Sequence, residues 1–406
     1  MSTPRFRSFS LPLLLLLLLA GPGLLGNSLL SAQDQPPNAE PKPETPENPT
    51  TPPTSLGKGA ERSVAAALNW IARHQNEDGS WSLDHTSRCK GGNCSGPGNG
   101  KSDSAATGMA VLCYLGAGQT DQAKGPYAGT VKKGVQWLIA HQKEDGDLSA
   151  GGTQMYSHGV ATLALSECFH MTGDEKVKAA AQKGLDFIQS GQNREGGWRY
   201  VHGSADSDMS VFGWQVSALK SGQLADLKVA PDVLLKVRKY LDSSAKGENK
   251  DRFSYTPGSL PSLPMTTTGL LVSQYLGEAP DSPVMVGGTK YLAANLPSID
   301  RRNCYYWYYG THVMHQTGGE NWDTWNRSMR KVLIDAQDKT GCTAGSWDPQ
   351  KPSADAWGQI GGRMMVTSLS CLTLEVYYRY LPLHQRRQAK PEGAEKPAEK
   401  SSEKKE

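Results

Sequence analysis

Net charge is nearly absent from this 406-residue chain, in which 43 Lys and Arg face 40 Asp and Glu and leave a formal +3. The basic residues are spread along the sequence with no block of one sign, which argues against nucleic acid as a partner. Long apolar runs are also scarce. The strongest, Leu11 to Leu25, is broken by Gly21, Pro22 and Gly23 and is short for a membrane span. Arg5 and Arg7 precede it, and Ser31 and Ala32 follow, the layout of a secretory signal peptide over residues 1–32. An uncleaved anchor, and with it membrane association, is the alternative. No Cys follows the run, which argues against a lipid anchor. An exported protein, periplasmic or extracellular and belonging to the cell envelope, is expected.

Apolar residues are scarce in 33–57, which is rich in Pro, Glu, Thr and Asn, and in the charged tail 383–406. Neither stretch can bury a core, so both read as disordered. Cysteine is sparse as well, with seven in all. Cys113, Cys168 and Cys371 lie inside apolar helical runs and read as buried small hydrophobes. Cys89 and Cys94 share the loop RCKGGNCSGPGNG, which in an exported protein suggests a local disulfide, since a metal clip would lack a second ligand pair. Cys304 and Cys342 are a further possible pair. No metal and no cofactor is implied.

What the chain has is a repeat. Lys183 to Gln223 contains an amphipathic helix ending at Gln192, a tight loop at Gly196, Gly197 and Trp198, and a second helix opening at Asp206. Similar wording surrounds Trp70, Gln75 and Trp81, then Trp137 and Gln142 with Leu148 in place of Trp, and finally Gly345, Ser346 and Trp347. Amphipathic helices over 60–74, 128–141, 231–241, 283–296 and 322–337 alternate with nearly all-apolar ones from Asp103 and over 156–171, 265–276, 304–316 and 364–380. A helix that is apolar all round must be buried. Six hairpins with a period of roughly fifty residues therefore predict an all-α, (α/α)6 toroid over residues 58–382, with inner and outer helical rings.

These Gln, Gly and Trp positions resemble the Gln-Trp repeat of the terpene cyclase and prenyltransferase superfamily, especially the C-terminal repeats of squalene cyclases. The resemblance implies chemistry at the mouth where the inner helices begin. Asp206-Ser207-Asp208-Met209-Ser210 resembles the Asp-x-Asp-Asp-Thr motif of squalene cyclases, which puts a proton donor at Asp208 with Asp206 as its flanking acid. Met209 replaces the third acid. The same segment looks like the zinc-binding segment of protein prenyltransferases, but Asp208 stands in place of its Cys, and the zinc His is missing at Met265-Thr266-Thr267.

His158 is a second candidate at the mouth, as hydrogen-bond partner or base. Tyr156, Tyr305, Tyr308, Tyr309, His312, Trp214 and Met265 are expected to line a cavity. Two functions follow from the resemblance. One is a class II terpene cyclase-like isomerase using Asp208, and the other a non-catalytic envelope protein holding an isoprenoid, a glycan or a protein partner in the same cavity. A polysaccharide-active enzyme is a weaker third, since no carboxylate spacing supports it.

Overall fold

The computed structural model describes residues 57–89 and 94–377. The expected signal segment and charged tail, and the expected linker up to residue 56, lie outside the described residues, as do the last five residues of the expected toroid.

Twelve α-helices alternate between two rings among the described residues. The outer helices are α1 (Gly57–Arg73), α3 (Ala128–Ala140), α5 (Glu175–Ser190), α7 (Pro231–Ser244), α9 (Pro283–Ala293) and α11 (Gly319–Ala336). The inner helices are α2 (Asp103–Gly116), α4 (Gln154–Thr172), α6 (Met209–Leu224), α8 (Leu263–Tyr275), α10 (Cys304–Thr317) and α12 (Gly358–Leu374). Each inner helix packs on the next, and α12 packs on α2, so the inner ring closes. A two-stranded ribbon, β1 (Ala245–Lys246) with β2 (Arg252–Phe253), follows α7.

Sequence pattern sorts the helices into rings. α1 buries Ala60, Val64, Ala67, Leu68 and Ile71 along one stripe and exposes Glu61, Arg62 and Asn69 on the other. Every residue of α4 from Ser157 to Cys168 is buried, because outer helices cover one side and its ring neighbours the rest. Close approach within the inner ring needs small residues. A Cβ on Gly159 of α4 would stand 2.5 Å from Gln215 Nε2 on α6.

The repeated residues stitch one hairpin to the next. Gln75 Nε2 donates to Gly79 O in its own loop and to Thr130 O on α3, both at 2.9 Å. Gln142 repeats this toward Gly146 and Ala180, and Gln192 toward Gly196 and Val233. Trp81, Trp198 and Trp347 are buried, and each indole N–H donates to a carbonyl of its own outer helix, from Ile71, Ile188 and Leu333. Gly79 adopts φ +97°, and a side chain there would collide with Lys133 O of α3 at 2.7 Å. Gln337 completes the circuit by donating to Ser63 O of α1 at 2.8 Å.

Several boundaries shift from those expected. α6 opens at Met209 with Asp208 as its cap, so Asp206 stands outside the helix. α11 opens at Gly319, three residues before the expected start at Trp322. α12 opens at Gly358, six residues before the expected Met364, and kinks at Gly362 (φ 60°). No described helix is long and apolar enough to cross a membrane.

Candidate functional site

Asp208 lies at the N-terminus of α6 and is fully buried. Its backbone is fixed from both sides, by Asp208 N donating to Trp198 O at 3.0 Å and Met209 N to Tyr255 O at 2.9 Å. Its Oδ1 accepts from Ser210 N at 3.0 Å, Ser210 Oγ at 2.5 Å and Val211 N at 2.9 Å. That is a helix cap. Its Oδ2 has no hydrogen-bond partner, and the nearest cation is Arg199 Nε at 4.0 Å. Burial pushes this carboxyl above its ordinary range, against the opposing pull of the Ser210 and Val211 bonds and of Arg199.

Tyrosines surround the cap. Tyr156 of α4 hydrogen-bonds Ser210 Oγ, so Tyr156, Ser210 and Asp208 Oδ1 form one connected chain. Tyr200 stacks on Tyr156 with ring centroids 6.1 Å apart, and its hydroxyl meets that of Tyr255. Arg199 lies over the Tyr200 ring, 5.4 Å from its centroid. Tyr200 is 39% exposed and its neighbour Val201 60%, so this rim faces solvent.

Asp206 does not act as a partner acid. Its half-exposed carboxylate pairs with Arg199, which places a cation between it and Asp208. His158 points away from the mouth, between the rings. Its Nδ1 accepts from Leu148 N at 3.0 Å, and its Nε2 lies 2.9 Å from Gly184 O on α5 and 3.2 Å from Thr162 Oγ1. Since Nε2 must donate to a carbonyl, the tautomer is set and the ring ties α4 to α5. Burial lowers its pKa to about 4 even with Asp147 at 3.7 Å, so it is neutral and structural.

The aromatic wall is instead a plug. Trp214 of α6 stacks on Tyr308 of α10 at 5.7 Å and 18°, and meets Tyr305 and Tyr309 edge-on. His312 packs against Tyr308 at 4.6 Å. α6 and α10 are separated by α8 in the ring, so these contacts run across the inner side of α8. Trp214 lies about 8 Å along α6 from Met209 at 1.5 Å per residue, so the aromatic cluster begins close beneath the Asp208 cap. Met265 opens α8 at that same end and is buried.

The expected Cys89–Cys94 disulfide is not formed, and all seven cysteines are thiols. Sequence reading missed Arg199, Tyr200 and Tyr255. The first two directly follow the repeat Trp198, a position that the repeat itself explains. Tyr255 sits in a loop with no periodic signal.

Residues 55–158 match the squalene-hopene cyclase C-terminal domain family. Two solved structures extend the likeness to the whole ring. The type II terpene cyclase MstE from Scytonema, in complex with merosterolic acid A, aligns over 80% of this chain and 98% of its own at 11% identity and a TM-score of 0.53. The α-1,6-mannanase GH76A of Salegentibacter sp. HEL1_6, in complex with α-1,6-mannotriose, aligns over 80% and 100% at 11% identity and a TM-score of 0.56. The chain folds as an (α/α)6 toroid, and its first repeats match the squalene-hopene cyclase C-terminal family. An α-amylase from Clostridium perfringens shares the architecture of this toroid at 9% identity, covering 80% of this chain and 100% of its own, with a TM-score of 0.55. Likeness at these identities concerns the fold alone. No curated protein matches the toroid's sequence.

Proposed function

We propose that this toroid is a non-catalytic, exported envelope protein that binds a polyhydroxylated ligand, a glycan, at its tyrosine-rimmed mouth. The observation that carries this reading is the buried Asp208 Oδ2, which lacks a partner beneath that rim. An unsatisfied buried acceptor costs about 1–3 kcal/mol, and a ligand hydroxyl would remove that cost. Tyr156, Tyr200 and Tyr255 offer both ring faces and hydroxyls, and exposed Asp206 and Arg199 add an acceptor and donors. The plug of Trp214 and Tyr308 leaves little depth for a long polyprene. The mannanase complex supports the reading only to the extent that its fold admits a saccharide.

A second reading rests on the same carboxyl. Asp208 holds its proton more firmly than an ordinary Asp, and the Tyr156–Ser210 chain is a route for returning one after it has been given up. Those are the needs of an alkene-protonating isomerase. Arg199 at 4.0 Å disfavours it, since a cation there opposes a developing carbocation.

One paired experiment separates them. The purified protein is titrated calorimetrically with manno- and gluco-oligosaccharides, and is incubated in parallel with squalene and shorter polyprenes followed by mass spectrometry. Saccharide binding that weakens at least about tenfold in Asp208→Ala and Tyr200→Ala supports the glycan reading. Polyprene isomers of unchanged mass that vanish in Asp208→Asn would replace it with the isomerase. Neither signal would overturn both.

A further inference from the structure

Chemistry of another kind gathers where the ring closes. His74 follows α1, Cys89 follows the short 3-10 turn Thr86–Arg88, and Cys94 begins the loop that leads to α2. Sequence reading dismissed Cys89 and Cys94 as metal ligands because no second pair was near. The fold supplies what was missing. The ligand atoms of His74, Cys89 and Cys94 all lie within 4.8 Å of one another. Cys342, from the loop between α11 and α12, borders this trio without being one of the three: its carbonyl oxygen is 4.0 Å from Cys94 Sγ.

The histidine is oriented as a ligand. Its Nδ1 lies 2.8 Å from Trp70 O, and a carbonyl can only accept, so the proton sits on Nδ1. The Nε2 lone pair is thereby left facing Cys94 Sγ at 3.4 Å. On a tetrahedral zinc with bonds of about 2.3 Å to sulfur and about 2.0 Å to nitrogen, those two ligands stand about 3.5 Å apart. Backbone-carbonyl support of the far ring nitrogen is the arrangement that steadies metal-bound histidines. Trp70 stacks on the His74 ring at 4.2 Å and holds its plane. His85 is 1% exposed and packs edge-on against His74 at 5.4 Å, and neither of its ring nitrogens makes a well-formed hydrogen bond.

A buried arginine holds both cysteine loops in place. Arg363 of α12 donates to Ser95 O at 2.7 Å and Ser95 Oγ at 2.9 Å, next to Cys94. On the Cys342 side it reaches Asp338 at 2.6 Å and Asp348 at 2.8 Å. Arg73 adds a bond to Ala344 O at 3.0 Å.

We propose that His74, Cys89, Cys94 and Cys342 form a tetrahedral site for a thiophilic divalent metal, zinc first, which clasps the first repeat to the last. Three thiolates and one imidazole select zinc over magnesium or calcium. Four protein ligands leave no open position, so the role is structural. The metal bridges Cys94 and Cys342, 248 residues apart.

The test uses full-length protein purified under reducing conditions with zinc present. Elemental analysis should give one zinc per chain, and cobalt(II) replacement should give thiolate charge-transfer absorption with tetrahedral d–d bands. Cys94→Ser, Cys342→Ser and His74→Ala should each lose the cobalt spectrum or weaken binding at least about tenfold, while Cys168→Ala keeps both. Chelation should lower the thermal midpoint of the unsubstituted protein, and zinc should restore it, a readout that needs no variant to fold. Absence of metal, or a Cys89–Cys94 disulfide in the isolated protein, overturns the proposal. So does zinc that survives Cys342→Ser but is lost in His85→Ala, because the site would then lie within one repeat and clasp nothing.

Discussion

Asp208 performs two tasks with its two oxygens. Oδ1 caps α6 with three accepted bonds, and Oδ2 is left bare in a buried place. The sign of its pH effect follows from burial. A carboxyl whose folded pKa is raised gives stability that is complete below its ordinary value of 3.8 and is lost as pH rises through the folded value. Asp208→Asn keeps a carbonyl acceptor for the cap and cannot ionise. Its stability relative to the unsubstituted protein should therefore grow as pH rises above the ordinary value of 3.8, read as denaturation midpoints at each pH. A difference that stays flat would mean that Asp208 titrates normally. Asp208 could be found from the sequence because an acid at a helix start is a local pattern. Its isolation from Asp206 could not, because Arg199 comes between them only in three dimensions.

At the scale of elements, the hairpin joint is made by Gln, Gly and Trp together. Gln192→Ala leaves Gly196 O and Val233 O without their donor and should cost about 1–3 kcal/mol. Trp198→Ala removes a buried indole and should cost about 3–5 kcal/mol. Exposed Lys183→Ala should stay within about 0.5 kcal/mol, and chemical denaturation of the three variants would check the order. If Gln192→Ala matched Lys183→Ala, the glutamine would be ornament rather than joint. Rings, helix count and hairpin period were all legible, since amphipathic and all-apolar helices alternate visibly. The same all-apolar character hides direction. A helix buried on every side has no polar stripe to show which face meets the axis, so His158 was assigned to the mouth and Trp214 with Tyr308 to a cavity wall. The His74 and Cys94 pairing escaped notice because residues 20 apart in sequence carry no periodic signature.

For the whole molecule, the bond from Gln337 to Ser63 is the same joint that links neighbouring hairpins, made here between the last repeat and the first. Arg330 of α11 lies beside both Gly57 and Tyr377, where the described ring starts and finishes. To the packing, then, the order in which the chain visits its six hairpins is incidental. A circular permutant that joins Gly57 to Tyr377 through a short linker, and opens instead between Leu224 and Pro231, should fold with unchanged helical circular dichroism. It should unfold in one cooperative step, as a ring without a first member does.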